Sequence, residues 1–196
     1  MKSLIIATHN KNKTIEFIQM GGDVFNISDL HDIGCEGEIP ETGATLEENA
    51  LQKASFVHLN YGVNCLADDT GLEINALDGA PGVYSARFAG EEKSSVNNIQ
   101  KVLELMRGHT DRRASFRTVI ALIVDGEEYL FEGVVEGEIL EHPQGTGGFG
   151  YDAIFKPVGY DHSFAEMALS DKNKISHRRR AFDKFVQFVN NQYRHV

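Results

Sequence analysis

The stretch LADDTGLEIN, Leu66–Asn75, decides how the chain is read. Its front half completes VNCLAD, a strand-like run that ends in two adjacent aspartates, Asp68 and Asp69. Its back half opens GLEINAL, which reads as another strand. Just before it, TLEENALQKASFVHLNYG places Leu46, Ala50, Lys53, Ala54 and Val57 at helical spacing. Thr45 is positioned to N-cap that helix, Glu48 three residues on completes a capping box, and Gly62 ends it. A helix delivering the chain into an apolar strand is the start of an α/β reading.

Working outward, Leu4–Ala7 is a short, wholly apolar run, as a strand covered on both faces would be. TIEFIQM reads as a helix closed by Gly21-Gly22, and VFNISDL as a further strand. Residues 32–43, with three glycines and Pro40, are loop-like. Beyond the aspartates, DGAPGVYSARFAG is a turn-rich loop and SSVNNIQKVLELM a second amphipathic helix. TVIALIV and EYLFEGVVEGEIL then flank Asp125-Gly126, a hairpin signal. HPQGTGGFGYDAIF is a glycine-rich loop leading to another strand, and AFDKFVQFV sets Phe182, Phe185, Val186 and Val189 on one helical stripe. Strand–helix alternation followed by hairpins implies an α/β domain with a mixed sheet.

At 196 residues the chain is one large domain or two intimately packed lobes. Its longest unbroken apolar run, VIALIV at Val119–Val124, is far too short to span a bilayer, and MKSLIIATHN lacks a secretory h-region. Cys35 and Cys65 form neither a metal spacing nor a disulfide framework, which points to a reducing cytoplasm. A formal net charge of −10 argues against a protein that coats nucleic acid. A small anionic ligand would then need local positive charge or a bound cation, and KNK at 11–13 and KNKISHRRR at 172–180 concentrate the basic residues.

Several segments are suited to chemistry. Thr8 to Lys13, a buried strand feeding a polar loop and a helix, offers backbone N–H groups where phosphate binds, with Lys11 and Lys13 adding charge. An ordinary β-to-α turn capped by Asn10 or Asn12 accounts for the same residues, and no P-loop pattern is present. If Ser176 N-caps the last helix, Arg178, Arg179 and Arg180 fall in its first turn, against the helix dipole. A ligand that uses those donors competes there with a solvated basic face. GTGGFGYD, 145–152, combines close-approach glycines with Phe149, an aromatic able to stack on a base, or else is a flexible loop with a core phenylalanine.

On a continuing strand Asp68 and Asp69 point to opposite faces, so they are not presumed to share one ion. For one of them a turn-making Asx bond beside Gly71 is the competing reading. The other, at a strand's carboxyl end, sits where α/β sheets bind ligands. Glu41, in PETG ahead of the long helix, is a candidate second carboxylate for Mg²⁺, which takes one or two carboxylates plus phosphates and water. Covalent catalysis has no support: there is no GxSxG, no HExxH, and no cysteine in a catalytic context.

Taken in order, THNKNK, ETGATLEENALQKA, LADDTGLEINALDGAPGVYSARFAG, GTGGFGYDAIF and SDKNKISHRRRAF resemble the motifs of the inosine triphosphate pyrophosphatases, from residue 8 to about 182. That resemblance implies a single domain over 1–196 with two lobes, a long mixed central β-sheet flanked by helices, a nucleotide cleft between the lobes, and a homodimer. It implies Mg²⁺-dependent hydrolysis of dITP, ITP and XTP to the monophosphate and pyrophosphate. Thr8, Asn10 and Lys13 would hold the triphosphate with Lys53, and His9, Lys11, Asn12 and Thr70 belong to the same substrate-binding elements. Glu41 and Asp69 would hold Mg²⁺, with Asp69 also the base for the attacking water. Phe149 would stack on the purine beside Gly150, Tyr151 and Asp152, and Lys172, His177 and Arg178 would line the base pocket. His9 stands where glycine is common in that family, and the arginine run is unusually long. A Maf-like pyrophosphatase and a nucleotide-binding module without turnover are the rival readings.

Overall fold

The computed structural model describes residues 2–192 of the chain. Strands β1 (Lys2–Ile6), β2 (Phe25–Ser28), β3 (Cys65–Ile74), β4 (Arg113–Val124), β5 (Glu127–Ile139) and β6 (Phe155–Pro157) form one six-stranded sheet in the order β2-β1-β3-β4-β5-β6. Helices α1 (Lys11–Gly21), α2 (Leu46–Tyr61), α3 (Ser95–Leu105), α4 (Leu169–Ile175) and α5 (His177–Gln192) connect and flank it, so the expected mixed α/β architecture is present.

β1 is parallel to both its neighbours, with Leu4 opposite Ile27 and Ile6 opposite Leu66. It is buried from Leu4 to Ala7, as its unbroken apolar sequence requires of a strand covered on both faces. The order β2-β1-β3 makes the carboxyl ends of β1 and β3 a topological switch point, the location at which open α/β sheets bind ligands. β5 and β6 are antiparallel, with Ile139 opposite Phe155. Asp125 and Gly126, at φ 52° and 83°, form the two-residue connection of β4 to β5, the left-handed pair that such a hairpin needs.

The chain divides into two units, each with its own core. The first comprises Met1–Asp69, Thr118–Gly133 and Arg178–Val196. Its core gathers Leu4, Ile6 and Leu66 from the sheet with Phe17, Phe182 and Phe185 from the helices. Phe182 lies 5.7 Å from Phe17 and 5.4 Å from Phe185, centroid to centroid, so the aromatic stripe of α5 is the packing face its period predicted. The second unit comprises Thr70–Arg117 and Val134–His177, with the rings of Phe116, Phe155 and Phe164 in contact at its centre. Among the described residues no helix is long and apolar enough to cross a membrane.

Three local expectations change. The two strands read on either side of Asp68-Asp69 are a single strand, β3, which runs straight through both acids. Gly71 therefore makes no turn; a Cβ there would lie 2.7 Å from the Gly82 carbonyl oxygen, so the residue serves a close backbone approach. α1 begins at Lys11 rather than after the basic triplet, with Asn10 as its cap. Glu48 closes back on the N–H of Ala44, at 2.6 Å, one residue before the cap it was expected to reach, while Thr45 Oγ1 accepts from Glu48 N as foreseen.

Candidate active site

In the first unit, β1 ends in a polar loop held in shape by its own side chains. Asn10 N donates to Thr8 Oγ1 at 3.2 Å. Asn10 Oδ1 in turn accepts from the N–H groups of Asn12 and Lys13, at 3.0 and 3.4 Å. Two of the donors read as phosphate ligands are thus taken up by the helix cap in this state. Lys11 and Asn12 are exposed, and His9 Nε2 donates to the Gly37 carbonyl at 2.9 Å. Lys13 turns inward: its Nζ lies 3.1 Å from Asp68 Oδ2 and donates to the Asp68 carbonyl at 3.4 Å.

Glu41 reaches the site because the loop behind it is stitched to α2. Three successive backbone N–H groups, of Thr42, Gly43 and Ala44, donate to Gln52 Oε1, Asn49 Oδ1 and Glu48 Oε2 at 2.8, 2.7 and 2.6 Å. The loop lacks a ladder of its own, and these side chains satisfy its donors. α2 also projects Lys53 from its buried face, where Nζ meets Glu41 Oε1 at 2.5 Å and Asp69 Oδ1 at 3.3 Å. Asn49, one turn earlier, donates from Nδ2 to Asp69 Oδ2 at 3.2 Å. Burial works to lower the Lys53 pKa, but Asp69, Glu41 and Asp68 outweigh it and hold the ammonium above its ordinary value.

Asp68 and Asp69 do face opposite ways, as strand alternation demands. Asp68 is fully buried, and its Oδ2 accepts from Arg178 Nε and Nη2 at 3.2 and 3.1 Å. Arg178 Nη1 also donates to Glu16. Burial alone would raise the Asp68 pKa, yet Lys13, Arg178 and Lys53 hold its carboxyl well below the usual range. Lys13 is pulled the other way: its burial, which Asp68 opposes, lowers its pKa. Arg178 was expected beside a purine; it is placed in the first unit, wholly buried, on two carboxylates.

The donor set suits a divalent cation. Glu41 and Asp69 come from distant segments yet converge on one positive centre, the Lys53 ammonium, and Asn49 steadies the second oxygen of Asp69. Among the described residues no group of three or more His, Cys, Asp or Glu side chains could hold a metal on its own. Two carboxylates that leave most positions to substrate and water are what Mg²⁺ commonly uses.

In the second unit, Phe149, Asp152 and Lys172 come together. Phe149 N donates to Asp152 Oδ2 at 2.9 Å, and Lys172 Nζ donates to the same oxygen at 2.6 Å. The ammonium stands 4.8 Å from the centroid of the half-buried Phe149 ring. Tyr151 points into the core, its hydroxyl donating to the Ser85 carbonyl at 2.8 Å, and burial raises its pKa. Gly150 is half-buried beside it at φ 61°. His177 is buried and stacked on Phe116, 4.7 Å between centroids and 19° between planes, and Thr70 is half-buried on β3.

Asn49 and Glu16 were missed in the sequence. Both are polar residues buried on an otherwise apolar helix face, and each is one turn from a candidate lysine, Lys53 and Lys13. An interrupted apolar stripe beside a functional cation is the signal that would have found them.

Known proteins share this architecture and sequence. The family model described as the Ham1 family matches residues 4–188. The dITP/XTP pyrophosphatase of Christiangramia forsetii is 52% identical over 186 residues, covering 95% of this chain and 98% of that one. That of Porphyromonas gingivalis is 50% identical over 190 residues, covering 96% and 98%. Among solved structures, the Staphylococcus aureus Ham1 protein aligns with a TM-score of 0.88 at 38% identity, over 97% of this chain and 100% of that one. A Coxiella burnetii HAM1 protein aligns equally, with a TM-score of 0.88 at 37% identity over the same shares. With the motifs, the sheet order and these relatives in agreement, the chain belongs to the Ham1 family.

Proposed function

We propose that this chain hydrolyses the non-standard purine nucleoside triphosphates dITP, ITP and XTP to the monophosphate and pyrophosphate, as a cytoplasmic homodimer that uses Mg²⁺. The observation that carries the reading is the convergence of Glu41 and Asp69 on the Lys53 ammonium, which marks a cation site assembled from two carboxylates. The dITP/XTP pyrophosphatases of Christiangramia forsetii and Porphyromonas gingivalis, as relatives of this chain, support the same reaction.

Mg²⁺ bound by Glu41 and Asp69 would supply charge neutralisation at the phosphate oxygens and the leaving group. Asp69 orients a water and accepts its proton as the water oxygen bonds to the α-phosphorus. The α–β phosphoanhydride bond breaks, and the electron pair leaves with pyrophosphate. Asn49 keeps Asp69 from rotating, since it occupies the oxygen that Lys53 does not. Lys13 and Lys53, with Thr8, Asn10 and their neighbours His9, Lys11 and Asn12, stabilise the polyphosphate charge, and Thr70, next along β3, belongs to the same substrate-binding elements. In the second unit Phe149 stacks on the purine beside Gly150, Tyr151 and Asp152. Lys172, a donor only, suits a 6-oxo group, and His177 fixes the wall behind it. Adenine presents an amino donor there and leaves that donor unmatched, which is a basis for rejection. Arg178, held on Asp68 and Glu16, is the further donor of the base pocket.

The test is product analysis of purified protein with Mg²⁺ and ITP, XTP, GTP or ATP. Monophosphate and pyrophosphate from ITP and XTP, with ATP little used, is the expected outcome. Orthophosphate as product sinks the mechanism, equal rates on all four sink the base assignment, and binding without turnover favours a regulatory module.

A further inference from the structure

We propose that Asp68 is a positioning residue that fixes the Lys13 ammonium for the substrate's phosphates, an inference that rests on the pyrophosphatase reading above. Asp68 cannot itself meet substrate or water in this state, because it is fully buried and directed to the face of β3 opposite Asp69. It acts through what it holds.

Lys13 is gripped twice by the same residue, at Oδ2 and at the main-chain oxygen, 3.1 and 3.4 Å away. The second contact exists because β1 pairing stops at Ile6 opposite Leu66, so that β3 runs on beyond its neighbour. The carboxylate is held in turn by the Nε and Nη2 groups of Arg178, both on the oxygen that Lys13 uses. Arg178 is tied to Glu16, which lies one turn along α1 from Lys13. The four groups close a ring through β3, α5 and α1, with two cations and two carboxylates in balance.

Such a ring removes the rotamer freedom of a flexible lysine before substrate arrives, so less ordering is left for the binding step. A buried ion pair kept for stability alone has a weaker rationale, since apolar replacements of such pairs are often neutral or stabilising. The adjacent aspartates thus divide the labour by strand alternation, Asp69 toward the reacting water and Asp68 toward the lysine.

A double-mutant cycle of Asp68→Asn and Lys13→Met tests this, read as kcat/KM for ITP with Mg²⁺ and as the calorimetric Kd for inorganic pyrophosphate. Each single variant is expected to lose roughly 10- to 100-fold in kcat/KM and to weaken pyrophosphate by a similar factor. The double variant is expected to fall no further than the worse single, because both changes remove one positioned ammonium. Losses that multiply, or an Asp68→Asn variant that keeps wild-type pyrophosphate affinity, overturn the role. If Asp68→Asn fails to fold, Asp68→Glu, which displaces the carboxylate by a methylene, enters the same cycle with the same criteria. Wild-type protein that yields no pyrophosphate from ITP overturns the activity itself; pyrophosphate formed with multiplying losses overturns only the role of Asp68.

Discussion

Lys53 spans Glu41 and Asp69 with one ammonium, and that ammonium occupies the ground a metal would share. Removing it leaves two carboxylates whose mutual repulsion a divalent cation relieves. In Lys53→Met, Mg²⁺ alone is therefore expected to raise the melting temperature by more than it does in the wild type, while ITP turnover falls. Thermal melts with and without Mg²⁺, in the absence of nucleotide, check this; an equal rise in both proteins would place the cation elsewhere. The separation of Asp68 from Asp69 was legible in the sequence because a strand's period of two is a local property. The partners were not. Arg178 stands 110 positions from Asp68, and nothing in either segment encodes that they meet. For the same reason the sequence left the arginine run open between a ligand's donors and a solvated basic face, whereas its first member is the most deeply buried cation of the first unit's network.

At the scale of elements, α2 organises the acidic loop as much as it frames a core. Its buried face presents Asn49 and Lys53, and Glu48, Asn49 and Gln52 of its first two turns supply acceptors to the backbone of residues 42–44. The Thr45 cap anchors the end from which all of these project, with Thr45 Oγ1 accepting from Glu48 N at 3.1 Å. Thr45→Ala is expected to cost about 1 kcal/mol, read as a lower urea midpoint at unchanged m-value. An unchanged midpoint would mean that the side chains of Asn49 and Gln52 hold this end without the cap. Helix and cap were foreseeable because capping chemistry is written within four residues. The loop was not, since its order comes from side chains later in the chain. α4 was also missed: seven residues, rich in polar side chains and parted from α5 by Ser176 alone, carry too little periodicity to announce a helix.

For the molecule as a whole, the sequence pattern gave the class of fold but not the order of strands. Alternation marks each strand, whereas β3 taking its place between β1 and β4 is settled by pairing across long separations. That central position governs how stability depends on alkaline pH. Cys65 opens β3 wholly buried, its Sγ donating to the Ala54 carbonyl at 3.3 Å, and burial pushes the thiol up to about 12 from its ordinary value of 9.0. The folded chain then keeps a proton that the unfolded chain gives up above about pH 9, so folding loses stability as pH rises between those two values. Lys13, lowered by burial against the pull of Asp68, has the opposite sign below 10.5, and Lys53, raised despite its burial, is lost only above it. Comparison with Cys65→Ala cancels both lysines. Whatever the offset between the two proteins at neutral pH, the wild type is expected to lose about 1.4 kcal/mol relative to Cys65→Ala by about pH 10. Urea titrations of both proteins at intervals from neutral to about pH 10 give the difference directly. A difference that stays constant over that range would show that the thiol ionises as readily inside the folded chain as outside it.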